Sequence, residues 1–123
     1  MNGVSWSPDG TRLVSGGQDR VVLVWQAQGG EIIQRLHGHG SLVNQVAWSP
    51  NGTLLASCGG SGRQGELFVW DVQLGTRVRA FEGLFGLVTT VAWNVQGDTL
   101  VSGSTDGALR WWDFEQRGTL ATV

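Results

Sequence analysis

The chain has 123 residues, room for one ordinary domain, with a formal net charge of −2 and only 15% charged residues. That balance offers no basic footprint for nucleic acid or anionic lipid. No apolar run nears the roughly 18 residues of a membrane-spanning helix, and MNGVSWSPDG lacks the basic start and apolar middle of a secretory leader. The single cysteine, Cys58, sits in an apolar strand-like run and rules out a disulfide framework within the chain; a cytoplasmic protein is the expectation.

In chain order, the first unit reads VSW, a turn SPDG, TRLVSGG, a polar break QDR, VVLVW, QAQGGE and IIQRL. Pro8 presets φ at the second position of the turn, and Gly10 suits the position that closes it. The phrase WSPDGTRLVSG (Trp6 to Gly16) returns as WSPNGTLLASC (Trp48 to Cys58) and again as WNVQGDTLVSG (Trp93 to Gly103). Trp6, Trp48 and Trp93 stand 42 and 45 residues apart, and Trp25, Trp70 and Trp112 stand 45 and 42 apart. One three-residue insertion accounts for both irregularities. It lies in CGGSGRQGE, where the other copies carry GGQDR and GSTDG. The runs VVLVW, ELFVW and ALRWW are β-branched or aromatic, too short for helices, and apolar at successive positions. Strands of that kind belong to sheets covered on both faces.

Units of about 40 to 45 residues, four strands each, fit radial stacking about an axis. Trp70-Asp71 and Trp112-Asp113, the Gly38-His39 pair, and the run HGHGSLVNQVAWSPNG carry a resemblance to the WD-repeat family of β-propellers, and the likeness covers essentially the whole chain. It implies an all-β fold of three four-stranded antiparallel blades, with boundaries at residues 1–38, 39–83 and 84–123. Val4-Ser5-Trp6 aligns with an innermost strand and GTLATV (Gly118 to Val123) with an outermost one, so three whole blades with no spare strand are expected. Closed propellers usually have about four to eight blades. Three would leave apolar faces bare, at Val22, Leu23, Val24 and Trp25 on one end and at Leu109, Trp111 and Trp112 on the other. Either oligomerisation completes the ring or the chain belongs to a larger propeller. Head-to-tail association of two chains gives six blades and is preferred here; three chains give nine.

The resemblance also implies a bracing hydrogen-bond set of histidine, aspartate, serine and tryptophan in each blade. The first blade has Ser15, Asp19 and Trp25 without a histidine. The second has His39, Ser57 and Trp70, with Gln64 where the aspartate belongs, so Gln64 or a water is expected to satisfy His39. The third has Ser102, Asp106 and Trp112, with Leu84 in the histidine position. A hydrolytic reading fails: the serines lie inside strands, no G-x-S-x-G turn is present, and tryptophan offers only a donor. His37 and His39 lack a third ligand nearby, so no metal is expected, and GGSGRQG lacks a phosphate-loop pattern, so no cofactor is expected either.

As a family property, the resemblance implies a non-enzymatic scaffold holding a protein or peptide on the face built from the connections into each blade and the turns between second and third strands. On this sequence that face carries Gln18, Arg20, Gly40, Ser41, Leu42, Arg63, Phe85, Gly86, Leu87 and Thr105. Arg63 and Phe85 lead the candidates, the one in the insertion and the other the aromatic of a connecting loop. For Leu84-Phe85 two readings stand: an exposed contact tip, or Leu84 filling the space of the missing histidine. The alternatives in function are a small ligand, sugar or anion, in the central channel, and an excised or engineered piece with no independent function.

Overall fold

The computed structural model describes residues 3–17, 19–61, 64–81, 86–113 and 118–122. Twelve strands run in chain order: β1 (Gly3–Trp6), β2 (Arg12–Gly16), β3 (Val21–Gln26), β4 (Ile32–His37), β5 (Val43–Trp48), β6 (Leu54–Ser61), β7 (Gln64–Asp71), β8 (Thr76–Ala80), β9 (Val88–Trp93), β10 (Thr99–Ser104), β11 (Leu109–Asp113) and β12 (Gly118–Thr122). They form three four-stranded antiparallel meanders, β1 to β4, β5 to β8 and β9 to β12, which are three propeller blades. Each blade carries a register shift at the same place, where the third strand meets the fourth: Val24/Trp25, Val69/Trp70 and Trp111/Trp112. A bulge there bends the ladder and sharpens its twist.

The repeated turn phrase has a local physical cause. In the first copy the Asp9 carboxylate accepts from the Ser7 hydroxyl (2.7 Å), the Thr11 amide (3.0 Å) and the Thr11 hydroxyl (2.8 Å), while Ser7 Oγ accepts from the Arg12 amide (3.0 Å). These bonds hold the Asp9 carboxyl down at about 2. Asn51 does the same work in the second copy, accepting from Ser49 and twice from Thr53. The third copy has lost the serine, and Asn94 Oδ1 instead accepts from the amides of Gly97, Asp98 and Thr99. Gly10, Gly52 and Gly97 close the three turns with φ of 74°, 76° and 78°, a left-handed backbone that glycine takes without a Cβ clash.

Two apolar cores fill the gaps between blades. One contains Val14, Val22, Val24 and Leu36 from the first blade with Val46, Trp48, Leu55, Phe68 and Trp70 from the second. The other contains Ala56, Cys58, Leu67 and Val69 from the second with Val88, Val91, Leu100 and Trp112 from the third. Along β7, Leu67 and Val69 therefore face one neighbour while Phe68 and Trp70 face the other, as an unbroken apolar run requires. Among the described residues the terminal blades are covered on one side only. Val4 and Trp6 in β1 are 58% and 59% exposed, and Leu109 in β11 is 44% exposed.

Hydrogen bonds to the main chain set the blade spacing. The Trp48 indole N–H donates to the Ser5 carbonyl (3.2 Å) and the Trp93 indole N–H to the Ala47 carbonyl (3.1 Å). Between the second and third blades, Gln45 Oε1 accepts from the Val91 amide (2.7 Å) and the Thr90 hydroxyl (2.6 Å), and Asn44 donates to the Val88 carbonyl (3.1 Å). Between the first and second, the Arg12 guanidinium lies 4.8 Å from the Trp48 ring centroid and donates to the Gly52 carbonyl. Glycine permits the closest approaches: a Cβ on Gly59 would lie 2.0 Å from the Leu42 carbonyl oxygen, which is backbone and cannot swing away. Gly59→Ala is therefore expected to cost roughly 1–3 kcal/mol, read as a lowered thermal midpoint; an unchanged midpoint would show that β6 and the 40–42 connection have room to part.

Candidate functional site

The best-formed polar cluster sits where the connection into the second blade crosses β6 and β7. Gly38 lets the chain pass close to the third-strand tryptophan, since a Cβ there would stand 3.0 Å from Trp70 Cη2. His39 follows, buried, with Nε2 2.6 Å from Ser57 Oγ and Nδ1 3.1 Å from Glu66 Oε1. The Trp70 indole N–H donates to Ser57 Oγ at 2.7 Å. One neutral tautomer of the ring satisfies all three bonds. A carboxylate only accepts, so Nδ1 carries the hydrogen; Nε2 then accepts from the Ser57 hydroxyl, which in turn accepts from Trp70. The imidazole is neutral in that arrangement.

Its surroundings agree. Burial lowers the His39 pKa from the ordinary 6.5, with Glu66 opposing the shift and Arg77 adding to it. The stability this neutral ring contributes is complete above pH 6.5 and is lost as the pH falls from there toward the lowered folded value. The Phe68 ring lies 4.4 Å from the imidazole, centroid to centroid, and the Arg77 guanidinium covers Phe68 at 4.5 Å. Glu66 also reaches the connection itself, accepting from the Gly40 amide (2.9 Å) and the Ser41 amide (3.2 Å).

Glu66 corrects the expectation for Gln64. The three-residue insertion lengthens the β6–β7 hairpin, so Gln64 pairs with Ser61 at its far end, and Glu66 is the side chain that meets His39. Glu66 stands opposite Gly59, deeper in the strand, and its carboxylate meets His39 Nδ1 from there. A glutamate four residues before the tryptophan was the available signal, masked by aligning the turn position by position.

The other blades hold reduced versions. In the first, the Trp25 indole donates to Ser15 Oγ (2.9 Å), while Asp19 accepts from the Val21 amide (3.4 Å) and caps its own turn. In the third, the Trp112 indole donates to Ser102 Oγ (2.9 Å). Asp106 accepts from Arg110 (2.8 Å), the Ser104 hydroxyl and the Ala108 amide (3.0 Å), and these bonds, Arg110 first, hold its carboxyl well below the usual carboxylate range. Arg110 is buried, donates also to Ser104 Oγ (3.0 Å), and was missed by sequence reasoning although it is the lone cation in ALRWW. Among the described residues every buried side-chain nitrogen and oxygen has a hydrogen-bond partner. Ser57 is fully buried with its hydroxyl engaged on both sides, which leaves a reactant no approach to it.

Of the expected contact residues, Arg20, Gly40, Ser41, Leu42, Gly86, Leu87 and Thr105 lie on the connections and turns at one end of the sheets. Ser41, Leu42 and Leu87 are half-buried; Arg20 and Thr105 are exposed. Thr105 ties the third-blade connection down, its hydroxyl accepting from the Leu87 amide (2.9 Å) and its own amide donating to the Leu87 carbonyl (2.9 Å). Gln18, Arg63, Leu84 and Phe85 lie outside the described residues.

The profile of the WD domain, G-beta repeat family matches residues 1–26, 30–71 and 75–113. The chain belongs to the WD-repeat family. Over 41 residues, 33% of its length, this WD-repeat chain is 42% identical to the U5 small nuclear ribonucleoprotein 40 kDa protein of Homo sapiens and 39% identical to that of Mus musculus. The matched stretch is 12% of each relative's length. Removing the carboxylate of Glu66 strands the His39 Nδ1–H and two loop amides. Glu66→Ala is expected to destabilise the WD-repeat chain by about 1–3 kcal/mol in urea titration, with Gln64→Ala within about 0.5 kcal/mol of the parent. The reverse order would return the pairing to Gln64.

Proposed function

We propose that this chain is a non-enzymatic scaffold that displays a protein or peptide partner on the end carrying Gly40, Ser41, Leu42, Leu87 and Thr105, and that head-to-tail association with a second copy completes its ring. The observation that carries the display reading is the fixing of the described parts of two connections by side chains. Glu66 holds the amides of Gly40 and Ser41, and Thr105 holds both main-chain groups of Leu87. A surface ordered before binding loses less freedom when a partner arrives. Family membership supports protein binding, and a net charge of −2 gives nucleic acid no electrostatic advantage.

The ring reading rests on the exposed apolar residues of the two terminal sheets, Val4 and Trp6 at one side and Leu109 at the other. Light scattering at micromolar concentration is expected to give twice the chain mass; a monomer at that concentration would contradict self-assembly.

For display, peptides selected from a random library on the native protein are expected to lose roughly tenfold or more in affinity on the Ser41→Arg, Leu87→Arg double variant. They should be indifferent to Leu74→Ser, since Leu74 is exposed in the turn after β7 at the opposite end. Binding that survives the double variant and fails with Leu74→Ser would move the site to the other end.

A further inference from the structure

The joint between blades occurs twice within the chain, and it is built from the same parts each time. At the first joint the Trp48 indole donates to the Ser5 carbonyl, and Pro8 Cδ lies 3.6 Å from where a Cβ on Gly52 would stand. At the second the Trp93 indole donates to the Ala47 carbonyl, and Pro50 Cδ lies 3.3 Å from the corresponding point on Gly97. Each blade thus has an incoming half, the tryptophan ending its innermost strand and the turn glycine four residues on. It also has an outgoing half, the carbonyl just before that tryptophan and the side chain two residues after it.

Among the described residues one half of each kind has no counterpart. The first blade's incoming half is Trp6, 59% exposed, with Gly10, around which no atom lies within 4 Å of a Cβ position. The third blade's outgoing half is the carbonyl of Ala92, an exposed residue, with Val95, which at 88% exposure stands in the place of Pro8 and Pro50. An apolar hollow lined by Val4, Leu13, Val14 and Trp25 adjoins the incoming half.

We propose that these two leftovers are the halves of one joint made between two copies of the chain, the Trp6 indole N–H of one copy donating to the Ala92 carbonyl of the other while Val95 covers the Gly10 turn. The proposal rests on the ring assembly above and names its contacts and direction. A second copy is the occupant because the two halves match each other by the rule the chain already uses twice. Two copies placed head to tail would engage both pairs at once.

The test mixes two single variants, Gly10→Cys and Val95→Cys, under mild oxidation at micromolar concentration. Cys58 is buried with its thiol pushed up to about 12 and stays out of the exchange. The mixture is expected to give a covalent dimer and each variant alone none. Self-linking of Val95→Cys would mean a face-to-face contact and overturn the joint. A dimeric mass without the mixed disulfide would overturn the joint and leave ring assembly standing; a monomeric mass would overturn both. Cysteine strains the left-handed backbone at Gly10, so Trp6→Ala provides a second reading. Trp6 is exposed within one chain, so this variant should keep its circular dichroism spectrum and weaken the dimer by roughly tenfold or more. An unchanged dimer with Trp6→Ala would also overturn the joint.

Discussion

Apolar packing on both faces of a thin sheet is the constraint from which the rest of the structure follows. A four-stranded sheet whose third strand reads Leu67-Phe68-Val69-Trp70 cannot turn either side to water without exposing large side chains. In the second blade both sides are covered by neighbours. Close contact between sheets leaves little space, which explains glycine at Gly16, against Val43 of the next blade, and the use of main-chain carbonyls as acceptors for Trp48 and Trp93. The packing of side chains supplies the free energy, and these tryptophan bonds fix how far along the strands one blade sits on the next.

The sequence repeat and the structural blade are out of phase. The matched stretch 30–71 takes in β4, the outermost strand of the first blade, with β5, β6 and β7 of the second; 75–113 takes in β8 with β9, β10 and β11. These two repeats therefore straddle two blades each and tie them covalently, so the first and second blades cannot part without stretching the connection that carries His39. The buried His39–Ser57–Trp70 chain, closed by Glu66, pins that connection to the blade interior. The same carboxylate orders Gly40 and Ser41 at the surface, so a structural brace and a display surface share one side chain.

Much of the fold was legible because its signals are local. Tryptophans at steady intervals, the Ser-Pro-Asp-Gly and Ser-Pro-Asn-Gly turns and short apolar runs placed strands at VVLVW and IIQRL, where β3 and β4 lie. Glu66 was hidden because positional alignment assumes equal hairpins, whereas the insertion lengthened β6 and β7 to eight residues each and shifted which side chain faces the histidine. Arg110 was hidden because a cation in an apolar run reads as exposed until its partners, Asp106 and Ser104, are seen to fold back on it. The blade joints left only the tryptophan as a mark, since their acceptors are carbonyls that every residue possesses. Of the contact face, the described connections show how the surface is held, and the residues singled out first, Arg63 and Phe85, fall outside the described residues.

Whether cover on both faces is what makes a blade stable can be read directly from native-state amide exchange followed against protein concentration. The account predicts that β5 to β8 are protected most in dilute solution, and that protection of β1 to β4 and β9 to β12 climbs toward theirs as concentration rises and free faces find partners. Equal protection of all three sheets at every concentration would mean that one neighbour suffices, and would contradict it.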